Sequence, residues 1–381
     1  MLLHLVHDDK VVPRMITQFE EVCPGNNIYL CLLRACDNFN LKYLKGNPYV
    51  VRSDSDEIRN IPWKKIDKIC IHYLSFSKLR YFWKLRFKYN LNRCKIIWFI
   101  WSGDIYDILE RKGFQLYTND NSFLQIRKPS LNGSFSIKSF IKEVTITIRN
   151  FIADFSMCYF IDRKFDYIVC NSNDEYELFK KYISFSKCKE LLRFGYYPLE
   201  DTLGALIDEN IKGDSIIIGN SASESNNHEY VLSIIEHLNF GDRKVYVPLS
   251  YGNDVKYINI VEKKYRCNLS NAVILKDFLP LEKYHNLLMS CSTFIYGNIR
   301  SEAWGNILVA LYLGGKVYVS EKSFLSKYLK TEGYKFYILE KIEETFNLEL
   351  TEEEKSNNRE IAIETWSHSQ NIKNVEYICS R

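Results

Sequence analysis

The sequence predicts an α/β protein made of two doubly wound, Rossmann-like domains that face each other across a cleft. Its 381 residues, 46% apolar and 26% charged, exceed what one ordinary core accommodates, so two domains are expected. Short β-rich runs alternate with longer segments of helical period, the pattern of a parallel sheet covered by helices. Polar turns follow several of the β-rich runs, at the strand ends where such sheets bind ligands.

In the first half the expected strands are Leu2–Val6, Ile28–Leu33, Ile66–His72, Ile96–Ile100 and Asp166–Cys170. A long helix is expected before the last of these, because Ile137, Ile141, Val144, Ile148, Phe151 and Phe155 recur at steps of three and four. Tyr117–Ser136, with its Asn-Asp, Lys-Pro and Asn-Gly pairs, reads as a loop. In the second half strands are expected at Ser215–Gly219, Lys244–Pro248, Ala272–Lys276, Thr293–Tyr296 and Lys316–Ser320. Val231, Ile234, Ile235 and Leu238 form one apolar helical stripe after the first of them. The expected organisation is an N-terminal Rossmann-like domain over 1–197, a linker over 198–214, a C-terminal Rossmann-like domain over 215–350, and a C-terminal helix in 351–381 that returns to the N-terminal domain.

Eleven cysteines occur singly in apolar runs with no CxxC pair, which argues for reduced thiols and against a disulfide scaffold or a zinc site. The opening MLLHLVHDDK reads as a buried strand rather than a signal peptide. No window reaches the run of about 18 apolar residues that spans a bilayer, so a soluble or peripheral protein is expected. The net charge of +4 conceals one concentration: Lys78–Lys95 carries seven basic residues and no acid, leaving the rest of the chain net acidic. There Arg80, Lys84, Arg86 and Lys88 alternate with aromatic residues including Trp83, a composition suited to anionic headgroups, and equally to a solvated face over an aromatic core.

Four segments carry the candidate chemistry. The turn Gly219–Asn227 (GNSASESNN) offers hydroxyl, amide and backbone donors to phosphate or sugar oxygens, while Ser225 or Asn226 also reads as a simple helix cap. The second turn, YGNIRSEAWGN (Tyr296–Asn306), places Arg300, Glu302, Gly305 and Asn306 ahead of an apolar helix, where Arg300 suits a diphosphate or a surface ion pair. In WFIWSGDIY (Trp98–Tyr106), Asp104 follows a strand and suits a general base or a helix cap. His72 and Asp8, each closing or following a strand, are placed at the same sheet edge. The Asp54-x-Asp56 triplet in YVVRSDSD would suit a divalent cation in a metal-dependent glycosyltransferase, the competing reading.

Together these motifs resemble the bacterial TDP-N-acetylfucosamine:lipid II N-acetylfucosaminyltransferase family. FIWSGDIY resembles its HIWGADLY-like strand end through Trp101, Gly103, Asp104 and Tyr106. IIIGNSASESNNHEY is similar to its VGNSGDxSNEH-like turn through Gly219, Asn220, Ser221, Ser225, Asn226 and His228. VYVPLSYG keeps Val247, Pro248 and Tyr251 of a VVVPMGYP-like strand end, and RSEAWG keeps Arg300 and Gly305 of an RQQGIG-like turn. The departures, Ala222, Ser301–Glu302 and Trp304, lie where sugar selectivity would lie.

The resemblance implies a GT-B type enzyme that needs no metal or other cofactor. It would transfer a deoxy- or acetamido-deoxyhexose from a TDP-sugar to an undecaprenyl-diphosphate-linked saccharide in O-antigen or common-antigen-type polysaccharide synthesis. Gly219, Asn220, Ser221, Ser223, Asn226, His228, Pro248, Tyr251, Tyr296, Arg300, Glu302, Gly305 and Asn306 form the expected donor side, with Asp104 and His72 as catalytic candidates. Asp8, Arg80, Trp83, Lys84, Arg86 and Lys88 form the acceptor and membrane side of a protein peripheral to the cytoplasmic face of the bacterial inner membrane. A non-catalytic binder of nucleotide sugars or lipid-linked glycans is the alternative from another class. Nucleic acid is not expected as a partner, because the basic residues lie in one patch and the polar turns would go unused.

Overall fold

Among the described residues every strand pairing is parallel, and the strands fall into two sheets. The computed structural model describes residues 1–33, 40–118, 137–250 and 254–381, and the side chains of 137–143 lie outside that description. Two compact units emerge: unit 1 comprises Met1–Phe114, Asn132–Pro198 and His368–Arg381, and unit 2 comprises Gln115–Leu131 and Leu199–Ser367.

Unit 1 contains β1 (Leu2–Val6), α1 (Val12–Val22), β2 (Asn27–Cys31), β3 (Val50–Arg52), β4 (Lys68–His72), α2 (Phe76–Lys88), β5 (Lys95–Phe99), α3 (Gly103–Arg111), α4 (Ile137–Lys164), β6 (Tyr167–Val169), α5 (Asn173–Tyr182) and β7 (Glu190–Leu192). Its seven-stranded sheet runs β3-β2-β1-β4-β5-β6-β7, reversing direction of growth between β1 and β4. Unit 2 contains β8 (Ser215–Ile218), α6 (His228–Ile235), β9 (Val245–Pro248), α7 (Val255–Asn268), β10 (Ala272–Leu275), α8 (Leu281–Met289), β11 (Cys291–Tyr296), α9 (Trp304–Tyr312), β12 (Lys316–Val319), α10 (Phe324–Thr331), β13 (Tyr337–Ile338) and α11 (Glu352–Trp366). Its six strands run β10-β9-β8-β11-β12-β13, with the reversal between β8 and β11.

Parallel sheets are covered on both faces, so their strands read as unbroken apolar runs. LLHLV in β1 and SIII in β8 are buried at every position. The elements missed in the sequence are the short edge strands β3, β7 and β13, of two or three residues each, too brief to show a pattern. Most of the expected loop Tyr117–Ser136 lies outside the described residues. Residues 198–214, expected as a linker, include a short helix at Leu199–Leu203, and Leu199, Leu203 and Leu206 are buried in the core of unit 2.

One expectation is corrected. Within α4, Val144–Lys164 is long and apolar enough, by length and composition, to cross a membrane. Threonines, alanine, methionine and cysteine between its larger apolar residues satisfy the composition without making a visibly continuous apolar block.

The last helix, α12 (His368–Ser380), belongs to unit 1 and packs on α1. The fully buried Asn371 fixes it: its Oδ1 accepts from Gly195 N at 3.1 Å and its Nδ2 donates to Gly195 O at 3.2 Å. A side chain on residue 195 would meet Asn371 Nδ2 at 2.9 Å, so this pairing requires glycine. Asn371→Ala strands Gly195 N in the core, while Gly195 O keeps Gln18 Nε2 at 3.3 Å, and is expected to lower the stability of unit 1 by about 1–3 kcal/mol, read as a reduced urea midpoint at unchanged m-value.

Candidate functional site

In unit 2 the polar turns that leave β8 and β11 flank the point where strand order reverses, the position at which open parallel sheets bind ligands. Gly219 follows β8 directly with φ +68°, and a Cβ there would lie 2.8 Å from Asn226 Oδ1 and 3.0 Å from His228 Nε2. Glycine therefore lets the turn fold back on itself. Asn226 holds that fold: its Oδ1 accepts from Asn220 N at 3.0 Å and its Nδ2 donates to Ser221 Oγ at 3.1 Å. Ser223 and Ser225 pair through their hydroxyls at 2.7 Å. The cap of α6 is Asn227, in the left-handed region at φ 51°, rather than Ser225 or Asn226.

The second turn is tied to the first by one carboxylate. Glu302 accepts from the Ser225 hydroxyl, from Asn298 Nδ2 at 3.1 Å, and from Arg300 through Nε and Nη2, both at 3.0 Å. Burial raises the Glu302 pKa, but Arg300, Ser225 and Asn298 outweigh it and hold the carboxyl below its usual range. Arg300 is thus engaged within the protein by a bidentate ion pair. Gly297 and Asn298 were not singled out in the sequence. A Cβ on Gly297 would lie 2.5 Å from Val231 Cγ2 and 2.8 Å from Asn226 O, so the two turns touch through that glycine. Gly305 and Asn306 sit in the first turn of α9, where the leading N–H groups have no intrahelical acceptor. Tyr296 closes β11 and Pro248 closes β9, both buried; Tyr251 lies outside the described residues.

Buried polar atoms around these turns with no partner among the described residues include Asn220 Oδ1, His228 Nε2 and Asn298 Oδ1, with Trp304 Nε1 at the start of α9. His228 is fully buried, with Nδ1 3.0 Å from Tyr257 OH, and burial, opposed by Glu302, lowers its pKa to about 4. It is neutral at pH 7.

In unit 1, Asp104 lies in the first turn of α3 and is 4% exposed. Its Oδ2 accepts from Leu74 N at 2.8 Å and Trp98 Nε1 at 2.9 Å, and its Oδ1 from Trp101 N at 3.0 Å. Burial, opposed by those donors, pushes its pKa up to about 6. His72 is buried inside a one-way hydrogen-bond chain. Trp101 Nε1 can only donate, so the Tyr196 hydroxyl accepts from it and donates to His72 Nδ1 at 2.6 Å. His72 then donates to His4 at 3.0 Å, and His4 to Asn27 Oδ1 at 3.4 Å, which fixes both tautomers by the network. Burial lowers His4 to about 3 and His72 well below its ordinary value. Asp8 accepts from the backbone N–H groups of Lys42, Tyr43 and Leu44.

Among the described residues, four of the five non-glycine residues with positive φ, Tyr73, Ser102, Asn227 and Ala303, lie in the turns after β4, β5, β8 and β11. Backbone strain of this kind collects at functional sites. On α2, Arg80, Lys84 and Lys88 are exposed, and Trp83 is half-buried against Phe87 at 5.7 Å. Arg86 donates to Asn92, while Lys78 is fully buried and donates to Leu5 O and His72 O. The basic surface is therefore smaller than the sequence run. Asp54 pairs with Arg52 and Asp56 with Arg59 on exposed turns.

Two outcomes test this geometry. A methyl group at residue 297 has no space between Val231 and Asn226, so Gly297→Ala is expected to cost about 1–3 kcal/mol, read from chemical denaturation. The buried neutral histidines His4, His72 and His228 bind protons only on unfolding, so stability is full above pH 6.5 and falls as pH drops towards 4, while Asp104 alone acts in the opposite sense. Thermal midpoints measured across that range should fall with pH, and less steeply in His228→Gln.

A family model described as 4-alpha-L-fucosyltransferase, glycosyl transferase group 56, matches residues 179–372, just over half of the chain. Among solved structures the chain is similar to HepE of Anabaena in complex with UDP and glucose (TM-score 0.61, 10% identity, 100% of each chain covered). It is likewise similar to a glycosyltransferase of Rickettsia africae (TM-score 0.60, 12% identity, 99% of this chain and 97% of that one). A third likeness is to sucrose-phosphate synthase of Thermosynechococcus elongatus (TM-score 0.59, 10% identity, 100% and 98%). At such identities these likenesses establish the fold, which is of the GT-B type. With its two parallel α/β units and the family match across the segment that carries both polar turns, the chain belongs to glycosyl transferase group 56 and is a nucleotide-sugar glycosyltransferase.

Proposed function

We propose that unit 2 binds a TDP-linked deoxy- or acetamido-deoxyhexose, and that the enzyme transfers this sugar to an undecaprenyl-diphosphate-linked saccharide during bacterial surface-polysaccharide synthesis. The observation that carries the donor reading is the set of buried, unpartnered atoms Asn220 Oδ1, His228 Nε2 and Asn298 Oδ1 beside two strained turns. Buried polar atoms without partners are costly in an otherwise satisfied structure, and a ligand rich in hydroxyl groups supplies the missing hydrogen bonds.

The diphosphate has a different match. The leading N–H groups of α9, at Gly305 and Asn306, lack intrahelical acceptors and with the positive dipole end favour an anion, and Arg300 stands just before them in the sequence. The leaving nucleoside diphosphate gains charge as the glycosidic bond breaks, so donors already fixed in place lower that barrier. Glu302 serves as a positioning residue in this reading, because it holds Ser225, Asn298 and Arg300 at one point. Asp104 takes a positioning role as well: both carboxylate oxygens are spent on Leu74, Trp98 and Trp101, which sets the turn between β5 and α3. No step uses Asp54 or Asp56, and the reaction is proposed to run without a metal. The acceptor side is assigned to unit 1, with the exposed cations of α2 facing the anionic inner surface of the membrane.

The reading predicts that a TDP-sugar raises the thermal midpoint more than its UDP or GDP counterpart, and that TDP is released only when a lipid-linked acceptor is added, with or without EDTA. Glu302→Gln, with an unchanged circular dichroism spectrum, should lower kcat/KM about 10²- to 10³-fold. Equal stabilisation by all three nucleotide sugars would remove the TDP assignment, and stabilisation by none would remove the donor site.

A further inference from the structure

We infer that α4 is a membrane-insertion element: its outward face lies along the surface of an anionic phospholipid bilayer, parallel to the membrane plane. This deepens the membrane-side reading of unit 1 and rests on it, but adds a separate element and a different physical force.

Val144, Ile148, Phe151, Ile152, Phe155 and Tyr159 are all exposed, with Phe151 at 71% and Phe155 at 67%. At about 100° per residue they fall on one face of the helix. Met157, Phe160 and Ile161 fall on the opposite face and are buried at 7%, 1% and 0% exposure. The apolar stripe is therefore not the core-packing side of the helix. From Val144 to Tyr159 it runs roughly 20 Å, a length and width of apolar surface that monomeric proteins seldom leave to water.

The same burial argues against a membrane span. Phe160 packs edge-on against Phe82, Trp83 and Phe165, which anchors the C-terminal half of α4 to the body of unit 1. A helix fixed along one side presents only its other side to lipid, the arrangement of an interfacial amphipathic helix.

Charge selects the occupant. Alongside the stripe, α2 exposes Arg80, Lys84, Phe87 and Lys88 in a row, and no acid occurs between Lys78 and Lys95. Lys164 lies 5.8 Å from the Trp83 ring. The acids on the described part of α4 are engaged, Asp154 by Arg111 and Asp162 by Arg163. A groove of about 300 Å³ between the two helices is lined by Arg80, Trp83, Phe155 and Tyr159, which combines rings with a cation where headgroup meets acyl chain. A second copy of the chain fits less well, because an isologous pair would bring two acid-free basic rows together.

Flotation of the purified full chain with vesicles tests this. Binding is expected to phosphatidylcholine vesicles containing phosphatidylglycerol and to be weak with phosphatidylcholine alone. Phe151→Ser/Phe155→Ser should lower the partition coefficient at least about tenfold, and Arg80→Glu/Lys84→Glu/Lys88→Glu about a hundredfold at low salt. All of the replaced side chains are at the surface, and an unchanged thermal midpoint verifies folding. No flotation with the anionic vesicles, or equal flotation of the double phenylalanine variant, overturns the inference. So does a dimer in light scattering that this variant dissociates, since the stripe would then be covered by a second copy. Vesicle binding needs no sugar nucleotide, and turnover with a water-soluble acceptor analogue should be unchanged in Phe151→Ser/Phe155→Ser. Failure of insertion is thereby separated from failure of sugar transfer.

Discussion

Parallel strand pairing is the constraint from which most of this protein follows. A parallel sheet needs a crossover for each added strand and cover on both faces, so strand interiors are apolar throughout and polar chemistry is displaced to the strand ends. Both sheets reverse their strand order once, at β1/β4 and at β8/β11, and the loops leaving those strands diverge there. At β8/β11, Asn227 and Ala303 at positive φ and the unpartnered polar atoms of Asn220, His228 and Asn298 gather in and beside the two turns.

Each unit fixes its turns with buried groups whose hydrogen-bonding direction is determined. In unit 1 a chain of donors runs from Trp101 through Tyr196, His72 and His4 to Asn27, and Asp104 gathers three further donors. In unit 2 Glu302 collects a serine, an asparagine and an arginine from two turns that are far apart in sequence. Such networks hold their turns rigid through matched donors and acceptors, and removing one member leaves its partners desolvated and unpaired. Several residues with catalytic residue types, His72 and Asp104 among them, serve in the structure as ties.

Group 56 membership and a GT-B fold place the chain among sugar-transferring enzymes, while identities of 10–12% to solved structures leave the choice of sugar and acceptor to the site itself. At that site Glu302 pairs with Arg300, so a carboxylate neutralises the guanidinium that precedes α9 in the sequence. Anion recognition then falls more heavily on backbone N–H groups and the helix dipole, and hydroxyl recognition on the unpartnered amide oxygens.

The sequence alone determined the central strands and the parallel architecture, because fully buried strands such as SIII and LLHLV leave an unbroken apolar record, and helix periods show between them. It also determined the two polar turns, since glycine and small polar residues mark a strand-to-helix turn. The tertiary structure alone decided what those residues do. Gly297 and Asn298 gain importance only when β8 and β11 lie side by side and their turns touch. Arg300 finds Glu302, Lys78 is withdrawn from the basic run into the core, and the apolar face of α4 turns outward instead of inward. Helical period shows that a face exists, and packing decides whether protein or another phase covers it.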